Sequence, residues 1–164
     1  MGGHCLPIDP VYLSHHVKAR HGQTFRLIEL AQEINESQPD YVVRRLQDAL
    51  SSRLRRSMHG ARILALGAAY KPGTSDTRQS PAVQVIDRLR AMGADVVVDP
   101  YLPDAGRRHI PFAGAPSGES VADFHAVVLL TPHAEFDLAQ LADEAAYVLD
   151  TRGVMAPAPH VERL

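Results

Sequence analysis

The sequence predicts an α/β fold: an N-terminal helical segment followed by a parallel sheet with helices on both faces. Two patterns carry that expectation. Between residues 24 and 57, apolar side chains recur at helical spacing, as in Phe25, Ile28, Ala31 and Ile34. From residue 61 onward, short apolar runs alternate with amphipathic stretches of helical period. Runs this short and this apolar are strands buried on both faces, which is how parallel sheets read.

The totals set bounds. With 164 residues the chain fits one ordinary domain with a helical appendage. A net charge of −2 leaves no basic excess to neutralise phosphates along a nucleic acid, so any anion recognition must be local. The single cysteine, Cys5, excludes an internal disulfide and a cysteine-based zinc cluster, and suits a reducing cytoplasm. No apolar run approaches the roughly 20 residues that span a bilayer. The N-terminus lacks a basic segment leading into an apolar one, as a signal peptide would have. The expectation is a cytoplasmic protein with neither nucleic-acid nor membrane partners.

The elements follow in order. "MGGHCLPIDPVYL" is a Gly/Pro loop running into a helix, with Asp9 and Pro10 as the N-cap and first-turn pair. That helix should stop near Gly22. In the next helical region, Leu27 and Leu30 widen the stripe, and Val42, Val43, Leu46, Ala49, Leu50 and Leu54 continue it. Pro39 should kink this helix or start a new one after Ser37, because it withholds an amide and crowds the preceding turn. So wide a stripe needs a partner surface, such as a subunit interface. "ARILALG" reads as the first strand, and "SPAVQVIDRLRAMG" as a helix with Ser80 as N-cap, Pro81 at its first position and Gly93 beyond its end. "ADVVVDP" is the second strand, "RRHIPFAG" a candidate short one, "SGESVADF" a short helix and "HAVVLLTP" the third strand. "EFDLAQLADEA" is a helix, "AYVLDTRG" the final strand, and "APAPHVERL" a frayed tail.

In open parallel sheets, ligands bind beyond the carboxyl ends of the strands, near the point where strand order reverses. Attention therefore falls on Tyr70 to Arg78, Asp99 to Tyr101, Thr131 to His133, and Thr151 with Arg152. "LGAAYKPGTSDTRQSP" combines a strand end, Lys71, Arg78 and a helix start, the ingredients of an anion site. It lacks the glycine spacing of a dinucleotide fingerprint, since Ala68 and Ala69 follow Gly67, and it is not a Walker loop. The other reading stays open: Lys71 solvated, Asp76 paired with Arg78, and Ser80 only capping. Arg152 should reach the same edge as Lys71, unless it pairs with Asp150 or Glu135. Cys5 also has two readings, a small buried hydrophobe or a thiol activated by His4, the flexible Gly2-Gly3 and the following helix. Asp9 serves equally as a general base or an N-cap. The spacing of His15, His16 and His21, without matched acidic partners, points to surface histidines rather than a metal site.

Taken together, "GGHCLPIDPVYL", "LIELAQEINESQPDYVV", "LGAAYKPGTSDTRQSPA", "VVVDPY", "LLTPHAEF" and "VLDTRG" resemble the UDP-glucose/GDP-mannose dehydrogenase family along nearly the whole chain. "GHC", "EIN" with Pro39, and His133 place the resemblance nearest the UDP-N-acetyl-mannosamine and UDP-N-acetyl-glucosamine 6-dehydrogenases. The resemblance implies NAD-dependent oxidation of a sugar 6-alcohol to a carboxylate through a cysteine thiohemiacetal and thioester. On that basis Cys5 matches the nucleophile, and Asp9 the carboxylate that activates or positions water. Tyr70, Lys71 and Arg152 match substrate-binding positions, and Arg78 a residue that reaches toward NAD.

The resemblance also implies an organisation. Residues 1–22 correspond to part of the catalytic loop and a short helix, and 23–58 to central helices that form a homodimer. Residues 59–156 correspond to a Rossmann-like UDP-sugar-binding domain, and 157–164 to a tail. The family's NAD-binding domain has no counterpart in these residues. The chain is therefore expected to be inactive alone and to bind NAD at most loosely; whether a separate NAD-binding chain is a partner stays open in the sequence. Two alternatives differ in class: a stand-alone UDP-binding or regulatory module, and an enzyme recruited to NAD-independent chemistry at Cys5, His4 or Asp9.

Overall fold

A computed structural model describes residues 2, 5–98 and 120–164. Its elements are α1 (Cys5–His21), α2 (Arg26–Ser52), β1 (Arg62–Leu66), α3 (Pro81–Ala91), β2 (Asp95–Val98), β3 (Ala126–Leu129), α4 (Leu138–Glu144), β4 (Val148–Asp150) and β5 (Val161–Arg163). A 3-10 turn, Val121–Asp123, precedes β3. The five strands form one sheet in the order β2-β1-β3-β4-β5, and every pairing is parallel. The expected α/β architecture is present. Strand order reverses between β1 and β3, which places the switch point at Leu66 and Leu129.

Each face of the sheet is covered, as parallel strands require. On one side Ile63, Ala65, Val96, Val128 and Leu149 pack with Val42, Val43, Leu46 and Leu50 of α2 and with Val85, Ile86 and Leu89 of α3. On the other, Leu64, Leu66, Val127, Leu129 and Val148 pack with Val121, Phe124, Phe136 and Leu141. The second half of α2 is thus part of the sheet's own core. Its first half leaves that core: Leu27 is 80% exposed, and Leu30 and Ile34 are also exposed.

Several expectations need correction. The Asp9-Pro10 pair does not begin α1. The helix starts at Cys5 and carries Pro10 inside it. First-turn amides need no intrahelical acceptor, so Pro7 is free of cost, and Pro10 forfeits only one hydrogen bond just beyond that turn. Asp9 is consequently an exposed interior residue of α1. Nor does Pro39 start a new helix: α2 is continuous from Arg26 to Ser52, with Pro39 buried. Ser37 Oγ and Gln38 Nε2 both donate to the Ile34 carbonyl, at 2.8 and 3.2 Å, in the turn that precedes the proline. α1 does end as expected, at Gly22, whose φ of +65° turns the chain as its N–H reaches the Lys18 carbonyl at 3.0 Å.

β4 is not the last strand, and the tail is not frayed. Val161, Glu162 and Arg163 pair with Val148, Leu149 and Asp150. Glu162 binds Arg45 of α2 through its Nε at 2.9 Å and also through its Nη2. It accepts the Tyr147 hydroxyl at 3.0 Å and lies 3.4 Å from Arg53. Burial and the adjacent carboxylate push the Tyr147 phenol well above its ordinary pKa, so it remains a donor. Three residues are too few to show an alternation, and only these tertiary contacts make them a strand. The short helix expected in "SGESVADF" is present in its described part as the 3-10 turn Val121–Asp123, capped reciprocally by Ser120 and Asp123. The candidate strand in "RRHIPFAG" and the segment Asp99 to Tyr101 lie outside the described residues.

If α2 completes the sheet's core, Leu46→Ala should cost about 2–5 kcal/mol in urea unfolding. Leu27→Ala should change monomer stability by no more than about 0.5 kcal/mol. Equal costs would show that α2 is not divided in this way.

Candidate functional site

The switch point itself is closed. Gly67, just past β1, has φ +84°, and a Cβ there would lie 2.0 Å from the Thr131 carbonyl oxygen. Only glycine permits this approach of two strand ends. The loops diverge from that contact: residues 68–80 on one side, 131–136 and 151–155 on the other.

The first loop carries Tyr70 and Lys71, and its shape is held by backbone and side-chain bonds. Tyr70 N–H donates to the Asp76 carbonyl at 3.0 Å. Asp76 N–H donates to Thr74 Oγ1 at 3.2 Å, and Arg78 N–H to Asp76 Oδ1 at 3.0 Å. From the segment after β3, buried Thr131 donates its hydroxyl to the Ala69 carbonyl at 2.8 Å. Buried His133 accepts the Gly73 N–H on Nδ1 at 3.3 Å. Within this frame the Lys71 ammonium lies 5.4 Å from the Tyr70 ring centroid, within cation–π range.

Arg78 grips Asp76 in a fork, Nε to Oδ1 at 3.0 Å and Nη2 to Oδ2 at 2.7 Å. That contact holds its pKa above the ordinary arginine value. The Asp76–Arg78 pairing left open by the sequence is therefore formed. Ser80 precedes α3 at the N-cap position, with Pro81 at the helix's first turn, but its side chain makes no capping bond. Its Oγ is buried and has no partner among the described residues.

Arg152 is positioned by Asp150, a fully buried carboxylate at the end of β4. Asp150 Oδ1 accepts the N–H groups of Arg152 and Gly153, both at 2.9 Å, and Oδ2 accepts that of Met155 at 2.8 Å. These bonds curl the chain so that Arg152 Nε reaches back to the Leu130 carbonyl at 2.6 Å. Burial lowers the Arg152 pKa, and the Asp150 charge opposes that shift. A partly desolvated cation of this kind gains from a bound anion. Arg152 lines a cleft of about 350 Å³ together with Thr151, Leu130, Pro81 and Ala82 at the start of α3, and Gln38, Pro39 and Tyr41 of α2.

The sequence-derived residues thus fall into groups. Arg152 meets the N-terminal end of α3 in one cleft, while Tyr70 and Lys71 form a second feature of the same sheet edge, outside that cleft's lining. Gly2 approaches this edge, since a Cβ there would meet Pro81 Cδ at 2.5 Å and the Gln79 carbonyl at 2.7 Å. Cys5 is the first residue of α1, and its side chain lies outside the described residues. Asp9, exposed on α1, is not drawn into the cleft. Gln38 and Tyr41 were not expected in a site. They sit on a helix more than a hundred residues before Arg152 in the chain, and no local pattern links the two.

Residues 64–157 match the profile described as the UDP-glucose/GDP-mannose dehydrogenase family, UDP binding domain. Over 161 residues the chain is 31% identical to the NDP-N-acetyl-D-galactosaminuronic acid dehydrogenase of Ralstonia nicotianae, covering 94% of this chain and 35% of that protein. It is 28% identical to the UDP-N-acetyl-D-mannosamine dehydrogenase of Escherichia coli, covering 94% and 37%. The structure of a UDP-D-ManNAc dehydrogenase from Pyrococcus horikoshii superposes with a TM-score of 0.76 at 28% identity, covering 99% of this chain and 38% of that one. The chain therefore spans a little over a third of the length of the relatives it matches.

The Asp150 turn is directly testable. Asp150→Asn keeps the shape but loses at least one acceptor, and should destabilise the protein by about 1–3 kcal/mol in urea unfolding. Unchanged stability would show that the carboxylate does not organise the turn.

Proposed function

The chain belongs to the UDP-glucose/GDP-mannose dehydrogenase family, and on that premise we propose that it is the UDP-sugar-binding portion of a nucleotide-sugar 6-dehydrogenase. The observation that carries this reading is the Arg152 cleft. A partly desolvated guanidinium and the positive end of α3 face one space at the carboxyl edge of the sheet, and both attract a diphosphate. Tyr70 and Lys71, on a bonded loop at the same edge, supply a second polar contact and a second cation. Relatives named for N-acetylated sugar nucleotides favour a UDP-N-acetylhexosamine, with a plain UDP-hexose as the neighbouring choice.

Cys5 is the acyl-carrying thiol in this proposal, and Asp9 the carboxylate that serves the water. Support comes from Gly2, which packs on Gln79 and Pro81 and so brings the chain entering α1 to the sheet edge. The family's dehydrogenases are NAD-dependent. The residues present do not form a dinucleotide cradle: Gly67 is followed by Ala68 and Ala69 rather than by glycines at fingerprint spacing, and its inner side is filled by the Thr131 backbone. No hydride step is therefore assigned to this chain, and oxidation requires a cofactor site built from other residues. Arg78 would contribute to such a site from its edge, since the fork to Asp76 engages only Nε and Nη2 among the described residues.

The first half of α2, together with α1, exposes Tyr12, Leu13, Leu27, Leu30 and Ile34. Self-association through residues 23–58 would bury Leu27, Leu30 and Ile34 and produce a homodimer. Among the described residues no helix is long and apolar enough to cross a membrane, and the proposal places the protein in the cytoplasm. A UDP-binding or regulatory module without oxidoreductase activity would use the same cleft, and the closed β1 end favours it as the second reading.

Calorimetry with UDP and UDP-N-acetylhexosamines tests the site. Binding is expected in the wild type, and Lys71→Ala and Arg152→Ala should each weaken it by about tenfold or more. A folded protein with no affinity for UDP would overturn the reading. Sedimentation should show a dimer that Leu30→Glu converts to monomer, and a wild-type monomer would exclude the helical interface.

A further inference from the structure

We propose that Thr131 and His133 are positioning residues for nucleotide-sugar binding, acting through the backbone of the Tyr70–Lys71 segment. The inference rests on the reading that Lys71 contacts the nucleotide-sugar. Lys71 lies midway between two anchored backbone positions. Two residues before it, the Ala69 carbonyl accepts the Thr131 hydroxyl at 2.8 Å. Two residues after it, the Gly73 N–H donates to His133 Nδ1 at 3.3 Å. Both anchors come from one short segment beyond β3, and both are almost wholly buried, Thr131 at 0% and His133 at 2% exposure.

The chemistry of each anchor is specific. Thr131 is fixed in turn because its N–H donates to the Leu66 carbonyl at 3.1 Å, and its own carbonyl faces Gly67. Ala69 is equally buried, so losing the Thr131 hydroxyl would leave its carbonyl without that donor in a dry place. His133 can accept from Gly73 only as the neutral tautomer protonated on Nε2. Its ring stands edge-on to Phe136, with centroids 5.4 Å apart and planes at 78°, which holds Nδ1 toward the loop. Tyr70 is half-buried and Lys71 exposed, both in a loop outside any helix or strand. Pinning both flanks reduces the freedom that would have to be lost when a ligand binds.

The test is UDP calorimetry on the full chain, with stability followed by urea unfolding. His133→Phe keeps the aromatic edge contact but removes the acceptor. His133→Asn places an amide oxygen near the Nδ1 position. His133→Phe should weaken UDP binding by about three- to tenfold, and His133→Asn should recover most of that loss. Thr131→Val and Thr131→Ser form a parallel pair, with loss expected in the first and recovery in the second. This pair decides the matter if His133→Phe does not fold. Slowed exchange of the Gly73 amide in the wild type should be lost in His133→Phe. Undiminished affinity in His133→Phe and Thr131→Val, while Lys71→Ala weakens binding, overturns the positioning role and leaves the site reading intact. Affinity unchanged in Lys71→Ala removes Lys71 as a ligand contact, and the positioning role with it, while the Arg152 cleft is judged by UDP binding itself. Equal losses in the conservative and disruptive variants would reduce both residues to general structural parts and overturn the proposal.

Discussion

A parallel sheet cannot leave either face in water, and the cover for one face here comes from α2 together with α3. Val42, Val43, Leu46 and Leu50 are drawn onto Ile63, Ala65, Val128 and Leu149 because those strand residues have nowhere else to be buried. That constraint fixes the rest. It sets the position of Gln38, Pro39 and Tyr41 beside Arg152 and so creates the cleft. It brings Arg45 and Arg53 over Glu162, which fastens β5 to the sheet. It also releases the first half of α2 from the core, so that Leu27, Leu30 and Ile34 remain for another surface.

The carboxyl edge is organised by two buried polar devices rather than by its exposed cations. One is the Asp150 carboxylate, which satisfies three backbone amides and thereby aims Arg152. The other is the pair of bonds from Thr131 and His133 that brackets Lys71. In both cases a short side chain shapes backbone, and the backbone presents a long cation whose own freedom is large. Asp76 tempers the third cation, Arg78, so the edge presents graded rather than uniform positive charge.

Much of this was legible in residues close together in the chain. The strand cores of β1 and β3, the Ser80-Pro81 start of α3 and the Gly22 stop of α1 are local signals, and they appear where expected. The failures are of two kinds. Asp9-Pro10 looks like a helix start, but the helix begins at Cys5 and runs through the proline. Pro39 looks like a break, yet α2 passes through it with the proline buried and side chains of Ser37 and Gln38 bonding the turn before it. "HVERL" looks frayed because a three-residue edge strand has no pattern of its own. Each proline costs little more than one backbone bond in a long helix, whereas the tail is a strand only through contacts with segments distant in the chain.

The sequence by itself determined the fold class, the family resemblance and the short list of residues near the sheet's carboxyl edge. Periodicity, turn chemistry and motif order are all written in neighbouring residues, so no three-dimensional information was needed to read them. Only the tertiary structure decided which of those residues share a space. Arg152 and the start of α3 meet Gln38 and Tyr41 in a single cleft, while Lys71 stands on a separately anchored loop. It also decided that Arg78 is held by Asp76 and that the tail is a strand. The physical reason is that such relations arise from burial and hydrogen bonding between segments scores of residues apart, and their energy exists only once the sheet has brought those segments together.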